Sequence, residues 1–272
     1  MAPAIAVAVF LALAGASVLF VWSFYQPTVT GLARWVLLLA FLLLTAELAA
    51  DAIEVRQFPA VTPHLFIDLF IWMATAAFLV AGRHPDWQPV AGFAVPVLSL
   101  FWLVGLFFPA GLPGRLPRAL TGTWLTVHIV LAAAAYTAFL LAASTALMYL
   151  EKERELRRKE PRVFYYRLPA LTASDQCSLR LVAGGLVLLS LAMAGGMVWS
   201  SVLYGRPWTW TTKEIWSLVT WGVYAGYLVA RWRGFAGHRA AWLSIWAFLL
   251  VAFNFLGINL VVHGWHNYVG RG

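Results

Sequence analysis

An all-α polytopic membrane protein is the fold class this sequence predicts, on three observations. Of the 272 residues, 62% are hydrophobic and only 11% charged, more apolar surface than a soluble domain of this size can bury. The apolar runs reach the roughly 20 residues that carry a helix across a ~30 Å core, and they do not alternate as barrel strands do. The net charge of +8 owes much to one loop between helices, which is a positive-inside signal rather than a nucleic-acid-binding surface. A single cysteine, Cys177, excludes a disulfide within the chain, a CxxC redox pair and a cysteine-based zinc site.

Eight spans are predicted, at roughly 4–25, 32–50, 64–81, 90–108, 122–150, 178–203, 212–232 and 239–262, with no soluble domain between them, so that 1–272 reads as a single membrane domain. The first run has no basic residue before Arg34, so it reads as a retained span with its N-terminus outside rather than as a signal peptide. Span 2 ends in acid, at Glu47, Asp51 and Glu54 with Arg56 near, and Asp68 lies one turn into span 3 after His64. Carboxylates at membrane depth are costly and often functional, but these lie close to helix ends, where a solvated or Arg-paired role fits equally well. His64 reads either as a ligand or as an interfacial residue.

The connection before span 5 is broken by Pro and Gly and carries Arg115 and Arg118; His128 then sits about one turn inside the span. Span 5 runs on into EKERELRRKEPR, where Glu153/Arg157 and Glu155/Lys159 are spaced for i,i+4 pairs and Pro161 ends the helix. Span 7 opens with Thr211-x-x-Glu214, a capping box that gives Glu214 a structural explanation rather than a catalytic one. Gly222 and Gly226 form a GxxxG expected to pack closely on a neighbour, and Asn254 and Asn259 in span 8 are expected to bond across helices.

A cytoplasmic basic loop fixes the orientation. Alternating the spans from it puts both termini outside, with 13 of the 19 Lys and Arg on the inner side, eight of them in the 151–180 region. On that arrangement His64, His128, His263 and His266 fall at outer ends of spans, together with Arg115, Arg118 and the stretch YGRPWTWTTKEIWSLVTW at 204–221. That stretch carries Trp208, Trp210, Trp216 and Trp221 with Arg206, Lys213 and Glu214. Indoles stack on a porphyrin face, Arg pairs with propionates, and neutral imidazoles take the axial positions of iron. A surface heme site would use all of these groups, with His128 and His266 as the metal-ligating pair and Arg206 for a propionate. An aromatic belt beside unrelated histidines is the competing reading.

At these residues the sequence resembles the cytochrome c assembly protein family, the CcsA- and CcmC-type heme-handling membrane proteins with a tryptophan-rich "WWD" loop. YGRPWTWTTKEIWSLVTW is similar to the family's loop, WLTVHIVLAAAAYTAF to its helix bearing the first periplasmic histidine, LPALTASD (168–175) to its LPxLexxD, and GINLVVHGWHNY to its closing motif. The four motifs occur in order over about 120–268. The resemblance implies His128 and His266 as the periplasmic histidines, with His263 where the pattern has proline, and Trp208, Trp210, Trp216 and Arg206 in the heme-binding loop. Thr211 and Thr212 replace the motif's Asp-Pro; Thr is also a good N-cap, so the pocket is expected to keep its shape. In size the chain is similar to the short HemX-like and YpjD-like branch.

The residues and the resemblance together point to a heme-binding, heme-presenting protein of cytochrome c biogenesis in a bacterial cytoplasmic (inner) membrane, with heme b as cofactor. It is not an enzyme in the narrow sense: without a CxxC it depends on partners, apocytochrome c and a second biogenesis membrane protein. The alternative is a HemX-like regulator of tetrapyrrole synthesis acting through the basic 151–176 loop. No paired broken helices with midplane charge point to a transporter.

Overall fold

The computed structural model describes residues 3–55, 62–108 and 123–253. Among them the chain is entirely helical: α1 (Pro3–Ser23), α2 (Thr30–Val55), α3 (Pro63–Ala81), α4 (Gln88–Gly105), α5 (Thr123–Arg158), the short α6 (Val163–Arg167), α7 (Leu171–Tyr204), α8 (Thr212–Trp232) and α9 (His238–Ala252). Six helices, α1 to α5 and α7, are long and apolar enough to cross a membrane, and they coincide with the first six predicted spans. α8 is more polar, with Lys213 and Glu214 in its first turn and Arg231 in its last. α9 has 15 described residues, and the remainder of the predicted eighth span lies outside the described residues.

Apolar side chains cover the outside as well as the core. Leu11, Trp35 and Trp246 are 62%, 70% and 63% exposed, a distribution that only a lipid surround makes favourable. Inside, α5 and α7 form the most extensive helix pair, with α9 against α5, while α1 packs on α2 and α4. α3 and α4 join the two groups by packing on α5. At the centre, Phe139 of α5 stacks on Tyr224 of α8 at 3.6 Å between ring centroids.

Local chemistry sets the helix ends. Thr62 caps α3 by accepting from the Leu65 amide at 3.3 Å, and Pro63 comes next, at a position where its missing N–H costs nothing. α5 has 36 residues, about 54 Å of helix against a ~30 Å core, so its C-terminal turns stand clear of the hydrocarbon. α7 begins at Leu171, seven residues before the predicted 178, because 171–177 are polar enough to escape a hydropathy reading yet still helical.

Three expectations are corrected. Glu155 does not pair with Lys159; its carboxylate accepts from the amides of Arg162, Phe164 and Tyr165 at 3.0, 3.3 and 2.7 Å and so anchors α6 beneath α5. Among the described residues, nothing lies within 4 Å of a Cβ built on Gly222 or Gly226, so neither packs closely on a described helix. Glu47 and Asp68 are neither solvated nor Arg-paired: they are 5% and 0% exposed, and no hydrogen bond reaches either carboxylate. The predicted Glu153–Arg157 pair is present, at 2.8 Å.

Candidate functional site

The turn between α7 and α8 is held by a carboxylate. Gly205 ends α7 in the left-handed region, at φ 66°, where a side chain would be strained. Ser200 donates to the carbonyl of Arg206 at 2.8 Å, tying the outgoing turn back to the helix. Thr211 then caps α8 with its side chain, accepting from the Glu214 amide. Glu214 returns the bond to the Thr211 amide at 3.0 Å, so the predicted capping box is complete. The same carboxylate also accepts from the Thr209 amide and hydroxyl, both at 2.9 Å. It therefore grips the residues on either side of Trp210, which sits at φ 57°, a conformation that costs a bulky side chain about 1 kcal/mol or more.

The result is a fixed aromatic corner. Trp208 and Trp210 meet edge to face with centroids 6.0 Å apart. Trp210 is 69% exposed, a large apolar face left uncovered. Trp208 is half-buried, and its indole N–H is buried without a hydrogen-bond partner. Trp216, one turn into α8, packs on Phe253 at the end of α9 with centroids 5.9 Å apart. Arg206 is exposed in the same turn.

His128 occupies the second turn of α5, half-buried against α7. Its Nδ1 lies 2.6 Å from the carbonyl oxygen of Ala192. A carbonyl only accepts, so Nδ1 carries the proton and Nε2 keeps its lone pair, the arrangement that prepares an imidazole to bind iron. The ring fits because α7 is bare there: a Cβ on Gly196 would stand 3.0 Å from Nδ1 and 3.1 Å from Cε1. Gly196 is eight residues before the end of α7, so the imidazole and the Trp-bearing turn share one end of the bundle, about 12 Å apart along the helix axis.

These groups suit a flat apolar ligand with a metal at its centre: one imidazole of fixed tautomer, an exposed indole face, an unbonded indole N–H and an exposed guanidinium. His263, His266, Arg115 and Arg118 lie outside the described residues. The cradle of Ala192 and Gly196 was not anticipated, although AMAGG at 192–196 is small at every position but Met193. Nor was the second task of Glu214. LPALTASD gains a reason: Asp175 receives both Arg231 nitrogens at 2.7 and 2.8 Å and the Gly237 amide at 3.2 Å, fastening α7 to the α8–α9 turn.

Comparison with known proteins gives a family model described as "Cytochrome C assembly protein", matching residues 5–266 and so taking in the first half as well. The chain is similar to a "Cytochrome c biogenesis protein CcsA" of Parasynechococcus marenigrum (strain WH8102), 28% identical over 95% of this chain and 93% of the relative. A protein of the same name from Synechococcus sp. (strain CC9902) is 27% identical over 91% and 90%. Another, from Microcystis aeruginosa (strain NIES-843 / IAM M-2473), is 27% identical over 89% and 88%.

Proposed function

The chain belongs to the cytochrome c assembly protein family, and from that premise we propose that it is a heme-binding and heme-presenting membrane protein of cytochrome c biogenesis, the process its relatives are named for. His128 and His266 would hold the heme iron, Trp208 and Trp210 would pack on the porphyrin, and Arg206 would pair with a propionate, with Trp216 and His263 as further binding residues. The topology that goes with this is eight spans in a bacterial cytoplasmic membrane with both termini on the outer side. Heme b held there supplies the porphyrin that a c-type cytochrome receives. With Cys177 as its single cysteine, the chain does not bring the thiols of a thioether linkage. Those come from apocytochrome c, and a second biogenesis membrane protein is the expected further partner.

The observation that carries this reading is the bond from His128 Nδ1–H to the Ala192 carbonyl at 2.6 Å. It orients the ring and leaves Nε2 basic before any ligand arrives, which lowers the ordering cost of binding. His128 itself holds no proton on Nε2 and gives none up; the Trp corner shields the face of a bound porphyrin from water. The test is the optical spectrum of purified protein with added heme. A low-spin bis-imidazole spectrum lost in both His128→Ala and His266→Ala is expected; the same spectrum in both variants removes them as ligands.

A specific feature favours a second reading. At the other end of the bundle, Glu153, Arg157, Arg233, His238 and Arg239 line an open basin of about 520 Å³. Such a surface fits the HemX-like role, contact with a cytoplasmic enzyme through the basic loop. Neutralising Arg157, Arg158 and Lys159 then abolishes function while heme binding stays intact.

A further inference from the structure

We propose that Glu47, His64 and Asp68 form a site for one first-row divalent cation, of the Zn²⁺, Fe²⁺ or Mn²⁺ class, pinning α2 to α3 beside the end of α4. The site is separate from the His128 imidazole and from the tryptophan-bearing turn.

One donor atom from each residue lies within 4.8 Å of the other two. His64 Nε2 and Asp68 Oδ2 are 3.6 Å apart. Donors around an ion at about 2.1 Å stand roughly 3–4 Å from one another, so side-chain rotation alone closes the set. All three residues are buried, at 5%, 3% and 0% exposure. The imidazole is prepared as a ligand: Nδ1 is 3.0 Å from the Gly105 carbonyl, which only accepts, so the lone pair is on Nε2, the nitrogen that faces Asp68.

What separates this from a chance acidic cluster is the state of the carboxylates. Both oxygens of Glu47 and both of Asp68 are buried without a hydrogen-bond donor. Buried charge in a membrane is paired or coordinates a metal, and a divalent ion would neutralise these two carboxylates, with His64 Nε2 3.6 Å from Asp68 Oδ2 as the nitrogen donor. The donor set, one imidazole and two carboxylates, selects borderline divalent metals over Ca²⁺ or Cu⁺. Asp51, one turn further along α2, adds negative potential beside the site. The helices themselves do not explain the acids: α2 and α3 already pack through Phe41 stacked on Trp72 at 5.4 Å and through the bond from Trp72 Nε1 to Thr45 Oγ1 at 2.8 Å.

The test uses the full chain purified in detergent and stripped with a chelator. Zn²⁺, Mn²⁺ or Co²⁺ is added, excess is removed by gel filtration, and bound metal is counted by mass spectrometry. About one ion per chain is expected, falling at least about tenfold in Glu47→Gln and in Asp68→Asn and unchanged in His128→Ala. The Co²⁺-loaded wild-type chain is expected to show visible d–d bands that His64→Gln alters, a readout that does not depend on the carboxylate variants folding. Retention of no ion by the wild type, so that the carboxylates hold protons instead, overturns the proposal. So does equal retention by both carboxylate variants, or loss of the ion in His128→Ala.

Discussion

Carboxylates in the two halves of this molecule are treated in opposite ways. In the carboxyl-terminal half, Asp175, Glu155 and Glu214 each collect three donors and each fastens a turn: α8 to α9, α5 to α6, and α7 to α8. In the amino-terminal half, Glu47 and Asp68 are more deeply buried and receive no hydrogen bond. The first set is structural and complete. The second has no donor of its own, and the proposed divalent ion would complete it. A buried acid's meaning therefore lies in its donors, not in its burial.

Removing an acid from each half sharpens that contrast. Asp175→Ala leaves Arg231, 8% exposed, without its partner, and is expected to destabilise by about 3 kcal/mol, seen as a lower melting temperature in detergent. Asp68→Asn in metal-free buffer is expected to do the reverse or nothing, since it removes a buried charge that nothing solvates. A large loss there would break the comparison.

Glu214→Ala removes three accepted bonds from the turn and is expected to cost about 2 kcal/mol locally. Faster amide exchange at Thr209 and Thr211 with a red-shifted tryptophan emission would register it, while the Asp175 clamp stays intact. Smaller again is Gly196→Ala, where a Cβ 3.0 Å from His128 Nδ1 pushes the ring off the Ala192 carbonyl. About 1 kcal/mol of stability and a severalfold loss of heme affinity are expected. Gly184→Ala, with nothing within 4 Å, is the matched control and should leave both unchanged. The smallest effect is at Trp210: Trp210→Asn suits φ 57° better and is expected to gain a few tenths of a kcal/mol while weakening heme retention. A loss of stability instead would mean that the indole packs more than its 69% exposure indicates.

Much of this was legible beforehand. The helical class came from run length and composition, and the capping box from Thr211-x-x-Glu214, because local backbone chemistry needs only residues three apart. His128 near the start of its helix came from counting turns. What escaped were choices between competing partners. Nothing in the sequence tells Glu155 to prefer the amides of 162, 164 and 165 over Lys159, since both choices are local and the fold of the loop decides between them. The GxxxG of Gly222 and Gly226 misled because small residues permit close approach without requiring it.

Composition, turn chemistry and the positions of charge settled by themselves that this chain is a bundle of membrane helices with an aromatic, histidine-bearing end, because those properties are read over a few residues or averaged over many. Only the tertiary structure decided which acid met donors and which did not, and which nitrogen of His64 and His128 carries the proton. Those outcomes depend on a carbonyl from another helix, Gly105 for one ring and Ala192 for the other, arriving within hydrogen-bonding distance. No spacing along the chain encodes that approach; the packing of α3 on α4 and of α5 on α7 creates it.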